Sequence, residues 1–215
     1  MKRAIIFANG KMEEPPEIVI DRKSYDLIIA ADGGTHHCRS LGITPNVIIG
    51  DFDSLDSNEV LTYQQAGVQL LKYPIHKDET DLELALQFAK KQEMSEVSII
   101  GALGQRWDMT IANILLMAHP SYSRLKIRMF DGSQELFLLH GEDQIELLGQ
   151  PGDQLSLIPL AGDAHGVTTL GLEYPLNDEI LYFGSTRGVS NVFILDHAQI
   201  IVGDGILLCI LKREK

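Results

Sequence analysis

Five short stretches constrain the architecture more than anything else in the chain: AIIFANG, LIIAADGG, NVIIGDFDS, VQLLKYP and VSIIGALG. Their apolar residues are consecutive rather than alternating, the pattern of strands covered on both faces in a parallel sheet. The segments between them supply covering helices. In TDLELALQFAKK (80–91), Leu82, Ala85, Leu86 and Ala89 recur at i, i+3, i+4 and i+7. Thr80 with Glu83 spells a capping box that starts this helix and puts Asp81 in its first turn. In DMTIANILLMA (108–118), Ile111, Ile114, Leu115 and Ala118 repeat the spacing, Asp108 is placed to cap, and the helix should stop before Pro120. The first half thus predicts βαβ units forming an α/β domain with a mostly parallel, doubly wound sheet.

The pattern changes after Pro120. From IRMFDGSQELFLLHG onward, short strand candidates are separated by turn signals: Asp131-Gly132, Gly152-Asp153, Gly162-Asp163 and Gly203-Asp204-Gly205. Such spacing predicts hairpins in an antiparallel sandwich or barrel. With 215 residues the chain has room for two small domains with cores. The expected division is an α/β domain over 1–130 and an all-β domain over 131–215.

Charge and cysteine usage narrow the partners. A net charge of −12 opposes attraction to phosphate backbones and anionic membranes, which leaves small molecules as the expected ligands and no nucleic acid or membrane. The apolar runs fall far short of the ~20 residues of a membrane-crossing helix, and MKRAIIFANGKMEEPP lacks a signal-peptide pattern. Cys38 and Cys209 lie far apart and in no metal-ligand spacing, as suits reduced thiols. A soluble, cytoplasmic protein is expected.

In a doubly wound sheet, ligands bind beyond the carboxyl ends of the strands. Four such tips carry acids: Asp32-Gly33-Gly34-Thr35, Asp51-Phe52-Asp53-Ser54, His76-Lys77-Asp78-Glu79-Thr80-Asp81, and Gly104-Gln105-Arg106-Trp107-Asp108. If the segment is extended, Asp51 and Asp53 point to one side, and Asp81 at the next helix start can complete a pocket of three carboxylates. Such a cluster is costly unless a cation offsets it, and oxygen-only ligands favour magnesium over zinc. The plainer reading of DFDSLD is a solvated turn followed by a helix cap. Gly33-Gly34 permits close backbone approach, with helix-start amides available to phosphate oxygens, or it is simply a tight turn. Lys77 and Arg106 are the cations best placed to neutralise a polyphosphate. His36 and His37 read as helix-surface residues, and Trp107 as a ring that either stacks on a ligand or packs between loops. Neither a GxxxxGK[ST] nor a GxGxxG motif is present.

The ordered set DGGTHH, IIGDFDSL, HKDETDLELAL and GALGQRWDMTIANI, with STRGVSN in the β-rich half, resembles the thiamine pyrophosphokinase family over nearly the whole chain. The resemblance implies an N-terminal domain holding ATP and Mg²⁺, a C-terminal sandwich that helps bind thiamine, and a homodimer with active sites between subunits. It implies Asp51, Asp53 and Asp81 as magnesium ligands, with Asp32, Gly33 and Gly34 on the ATP-facing surface. Lys77 and Thr80 would lie near the nucleotide phosphates, Arg106 would face the phosphates, and Asp108 the thiamine. Ser190 and Asn191 would contact the aminopyrimidine. Two positions depart from the family tip: Gln105 stands for its second glycine and Met109 for its histidine.

The implied reaction is ATP plus thiamine giving thiamine diphosphate and AMP. Positioning and charge neutralisation dominate such transfers, so Asp51, Asp53, Asp81, Arg106 and Asp108 form the expected catalytic set, with Asp108 as substrate anchor rather than base. The alternative is a non-catalytic Mg-nucleotide or thiamine-binding module on the same scaffold.

Overall fold

The computed structural model describes residues 1–12, 24–104 and 106–214. The chain divides into two compact units, Met1–Gly132 and Ser133–Lys215.

In the first unit the apolar runs become β1 (Arg3–Phe7), β2 (Leu27–Ala31), β3 (Val47–Gly50), β4 (Gln69–Lys72) and β5 (Glu96–Ile100), joined by β6 (Lys126–Asp131). They pair in the order β6-β5-β1-β2-β3-β4, every pair parallel. Both faces are covered. Ile5, Phe7, Ala30, Ile48 and Ile100 share one cluster with Cys38, while the alternate residues Ile6, Ile29, Ile49 and Ile99 are themselves fully buried. This two-sided burial is what the consecutive apolar pattern encodes. β6 differs: its burial alternates, and in sequence it reads like the opening strand of the β-rich half, yet it extends the parallel sheet through register with β5.

The helices are α1 (Gly34–Ser40), α2 (Ser57–Gln65), α3 (Asp81–Lys91) and α4 (Trp107–Met117). α1 packs on β1 and β2, and α3 on β1, β2 and β3. α3 follows its sequence signals: Leu82, Ala85, Leu86 and Ala89 are buried, and the Thr80 hydroxyl caps by accepting from the Glu83 amide at 3.1 Å. α4 departs from expectation twice. Arg106 occupies the N-cap position without a side-chain cap bond, and Asp108 lies inside the first turn. The inward residues are Thr110, Asn113 and Met117, whereas Ile111 and Leu115 are 55% and 51% exposed. The helix turns its polar side inward because that side holds the loop after β5. Asn113 Nδ2 donates to the Ala102 carbonyl at 2.7 Å, and Thr110 Oγ1 bonds both backbone groups of Gly104.

The second unit is all antiparallel, as the turn signals predict. One sheet has the order β12 (Asn191–Val192), β9 (Gln154–Pro159), β14 (Ile206–Lys212), β7 (Gln134–His140). The other runs β11 (Glu179–Leu181), β10 (Ala164–Leu170), β13 (His197–Ile201), β8 (Gln144–Leu148). Leu155, Leu157, Leu207 and Leu211 from the first meet Val167, Ala198 and Ile200 from the second in one buried cluster, which makes the unit a sandwich. The expected fold class, a parallel α/β domain followed by an all-β sandwich, is the one observed. No helix among the described residues is long and apolar enough to cross a membrane.

Candidate active site

Strand order locates the crevice. The chain lays β2, β3 and β4 successively to one side of β1, then returns to place β5 on the other. The direction of winding therefore reverses between β1 and β5, where connections diverge and leave an opening beyond the carboxyl ends. A cavity of about 240 Å³ lies there, bounded by Asn9 and Gly10 after β1, Asp32 after β2, Thr80 and Asp81 at the start of α3, and Arg106. Gly101 to Gly104 after β5 and Met109 and Asn113 of α4 complete its wall. The β1 tip was missed in sequence because Asn9-Gly10 carries no charge to draw attention.

Beside the cavity, Asp32, Asp51 and Asp53 converge so that one carboxylate oxygen from each lies within 4.8 Å of the others. The convergence is not made by an extended segment. Phe52 has φ +67°, and the Asp53 amide donates to Asp51 Oδ1 at 3.0 Å, so a tight turn brings the two aspartates together. Asp32, itself at φ +42°, joins from the neighbouring strand and accepts from Ser54 Oγ at 3.1 Å. Burial, opposed by that hydrogen bond, pushes the Asp32 carboxyl above the usual range, and the Asp81 and Asp51 charges push the same way. The Asp32 charge, then that of Asp51, does the same to Asp53. Asp56, the third acid of DFDSLD, serves differently: its carboxylate caps α2 by accepting from the amides of Asn58 and Glu59.

Asp81 stands outside that tight trio and faces Lys77, whose Nζ is 3.0 Å from Asp81 Oδ1. The contact is a charge pair without hydrogen-bond alignment, so this oxygen has no hydrogen-bond donor among the described residues. Lys77 also donates to the Pro74 carbonyl at 3.3 Å, and its side chain is 12% exposed. Its charge offsets the repulsion at Asp53. The set is all oxygen, convergent and under-neutralised, which fits a hard divalent ion such as Mg²⁺.

The tip after β5 pairs its own charges. Arg106 Nε donates to Asp108 Oδ1 at 3.2 Å and a second guanidinium nitrogen donates to Oδ2, a fork that holds the Asp108 carboxyl below the usual range. Both side chains are mostly exposed, as is Trp107 at 78%. Gln105 lies outside the described residues, whereas Met109 lines the cavity. Gly33 and Gly34 serve close packing: a Cβ on Gly33 would lie 2.1 Å from Asn9 Oδ1, and one on Gly34 1.9 Å from the Phe7 carbonyl. His36 is exposed, as expected, beside Arg39. His37 is not a plain surface residue, because its Nε2 contacts the Gly10 carbonyl at 2.7 Å.

In the second unit, Asn191 is buried and three hydrogen bonds hold its side-chain amide. Oδ1 accepts from the Tyr174 and Val192 amides at 3.0 Å, and Nδ2 donates to the Tyr174 carbonyl at 2.7 Å. Ser190 is exposed at φ +60°, its amide donating to Ser156 Oγ at 3.0 Å.

Comparison with known proteins gives a consistent result. Residues 22–129 match the family described as thiamin pyrophosphokinase, catalytic domain, and residues 143–207 the family described as thiamin pyrophosphokinase, vitamin B1 binding domain. The chain is 33% identical to thiamine pyrophosphokinase of Bacillus subtilis over 215 residues, covering 100% of both chains. It is 26% identical to thiamine pyrophosphokinase 1 of Oryza sativa, covering 88% of this chain and 79% of that one. A crystal structure of the B. subtilis thiamine pyrophosphokinase superposes over 100% of both chains with TM-score 0.88 and 28% identity. One from Enterococcus faecalis, a thiamin pyrophosphokinase family protein, does so over 100% of both chains with TM-score 0.87 and 25% identity.

Proposed function

The chain belongs to the thiamin pyrophosphokinase family, and from that premise we propose that it transfers the pyrophosphoryl group of ATP to thiamine, giving thiamine diphosphate and AMP. The observation that carries this reading is the meeting of Asp32, Asp51 and Asp53, with Lys77 and Asp81 beside them, at the edge of the switch-point cavity. Carboxylates so placed attract no triphosphate by themselves. They become a nucleotide site once a divalent cation stands between the two sets of negative charge.

Asp51 and Asp53, with Asp32 and Asp81, are the residues that would hold Mg²⁺. When bound, the ion neutralises charge on the phosphate oxygens. Lys77 and Arg106 contribute positive charge, and Thr80 fixes the start of α3 beside them. Gly33 and Gly34 keep the first turn of α1 tight against β1 on the ATP-facing side. Thiamine's hydroxyethyl oxygen attacks the β-phosphorus in line, an O–P bond forms, the bond to the α-phosphate oxygen breaks, and AMP leaves. The hydroxyl proton departs late in a loose transition state, so no strong base is required. In the free chain Arg106 and Asp108 hold each other. Phosphate competes for the first and the cationic thiazolium for the second, which makes Asp108 an anchor. In the sandwich unit, Ser190 and Asn191 form the thiamine-facing segment, with Asn191 shaping the backbone there.

The chain acts as a homodimer with active sites between subunits, supported by an exposed stripe on α4: Trp107, Ile111 and Leu115, one turn apart. Reduced, buried Cys38 and Cys209 agree with a cytoplasmic setting. The test is to incubate the chain with thiamine, ATP and Mg²⁺. Thiamine diphosphate with AMP is expected; ADP with the monophosphate would refute pyrophosphoryl transfer. Metal-dependent binding without turnover would establish a binding module instead.

A further inference from the structure

Two glycines, Gly10 and Gly101, stand in the wall of the switch-point cavity where β1 and β5 end. The Gly10 amide donates to the Gly101 carbonyl at 2.6 Å, and the Ala8 amide to the Ile100 carbonyl at 2.8 Å, so the two tips run on together beyond the sheet. Gly10 and Gly101 are in near contact: a Cβ on Gly10 would lie 2.3 Å from the Gly101 carbonyl oxygen. Gly101 has φ +72°, and a Cβ on it would lie 2.6 Å from the Ala8 carbonyl and 3.2 Å from His37 Nε2. The imidazole of His37, projecting from α1, thus packs so closely against residue 101 that an added side chain there would press on it. There Nε2 meets the Gly10 carbonyl at 2.7 Å. A carbonyl oxygen only accepts, so Nε2 carries the hydrogen.

We propose that His37 is a positioning residue for the nucleotide side of the site, setting the β1 tip through the Gly10 carbonyl without itself lining the cavity. The argument is geometric. Asn9 and Gly10 line the cavity while His37 stands behind them. Gly10 spends its amide on Gly101 and its carbonyl on His37, so both peptide groups of the tip have fixed directions. Asn9, between two so fixed neighbours, is held over Gly33, close enough that a methyl there would overlap its amide. Removing the histidine donor leaves a half-buried carbonyl unpaired and frees the tip to rotate. The inference rests on the reading that this cavity receives ATP.

Two substitutions test it. His37→Leu removes the donor, whereas in His37→Gln an amide nitrogen restores it at nearly the same reach. Affinity for Mg-ATP, measured by calorimetry on the whole chain without thiamine, is expected to fall about five- to tenfold in His37→Leu. His37→Gln should recover most of that loss. In turnover, KM for ATP should rise in parallel while kcat and KM for thiamine stay within about twofold. Wild-type affinity for Mg-ATP in His37→Leu would overturn the proposal, and so would equal impairment of the two variants or a matching rise in thiamine KM. Should leucine prevent folding, His37→Asn, polar but too short to reach Gly10, replaces it with the same expected loss. Because the calorimetric arm needs no turnover, an inactive wild-type chain that binds Mg-ATP would defeat the reaction assignment while leaving the role of His37 decided by its own variants.

Discussion

Lys77 Nζ, in the loop that precedes α3, lies 3.0 Å from Oδ1 of Asp81, the first residue of that helix, with the lysine side chain 12% and the aspartate side chain 28% exposed. This cation stands among four carboxylates, since Asp81 raises Asp32 and Lys77 in turn relieves Asp53. Lys77→Met should therefore cost the metal-free chain about 1–2 kcal/mol, reduced from the value for a fully buried pair by partial solvent screening. For a chain of this length that is a fall in Tm of about 3–6 °C. Differential scanning calorimetry with and without Mg²⁺ checks it: the deficit should shrink when the ion is present, because a second positive charge then serves the same carboxylates.

Asp53→Asn should separate stability from function. The Asp53 carboxyl is raised in the folded chain by its neighbours, Asp32 first. A carboxyl with a raised folded value binds more protons folded than unfolded, so stability falls as pH rises from its unfolded value through its folded one. At neutral pH the ionised group is thus a liability unless a cation is bound. The amide variant is expected to melt no lower than wild type at pH 7 without metal, and to lose the metal-induced rise in Tm. Its turnover should drop by about 100-fold or more, because the carboxylate that would hold the metal is gone. A metal-free melt well below wild type would show the carboxylate to be structural.

Asn191 is a different case because its amide already serves the protein. Asn191→Ala leaves the Tyr174 amide and carbonyl without their partner, and about 1–3 kcal/mol of stability should go with them. The local segment, not the first unit, carries the damage. Thiamine KM is expected to rise while ATP affinity stays near wild type, read from steady-state kinetics against each substrate. A fall in ATP affinity would contradict the division of labour between the units.

The sequence showed the parallel sheet clearly, because burial on both faces demands consecutive apolar residues and those runs stand out. α3 was equally legible, its cap and apolar stripe agreeing with each other. What stayed hidden was where polar groups do internal work. Thr110 and Asn113 look like solvent-facing residues of α4, yet they are the inward ones because the loop after β5 has backbone groups to satisfy. Asn9 and His37 act through a carbonyl and a close approach, neither of which leaves a compositional trace. At the acidic site, the sequence singled out the strand tips that carry acids, but left-handed Phe52 and Asp32 decide which carboxylates meet. Backbone conformation of that kind is set by tertiary packing, beyond the reach of a periodicity argument.

The inverted face of α4 bears on assembly. Since its polar residues turn inward, Trp107, Ile111 and Leu115 form a ridge, 78%, 55% and 51% exposed, on successive turns of one helix. Single exposed apolar side chains are ordinary, whereas three aligned ones of this size are costly to leave in water and characteristic of a contact surface. The ridge begins at the residue between Arg106 and Asp108, so a second copy seated there would also restrain the tip that carries both charges. Ile111→Glu with Leu115→Glu puts two carboxylates on the ridge of an already acidic chain and removes no inward contact. Analytical ultracentrifugation at micromolar concentration is expected to show a dimer for wild type and a monomer for the double variant, with an unchanged melt of the first unit. Turnover should fall with dimer content and recover as protein concentration is raised. A double variant that remains dimeric would place the subunit contact elsewhere and leave the ridge without a role in assembly.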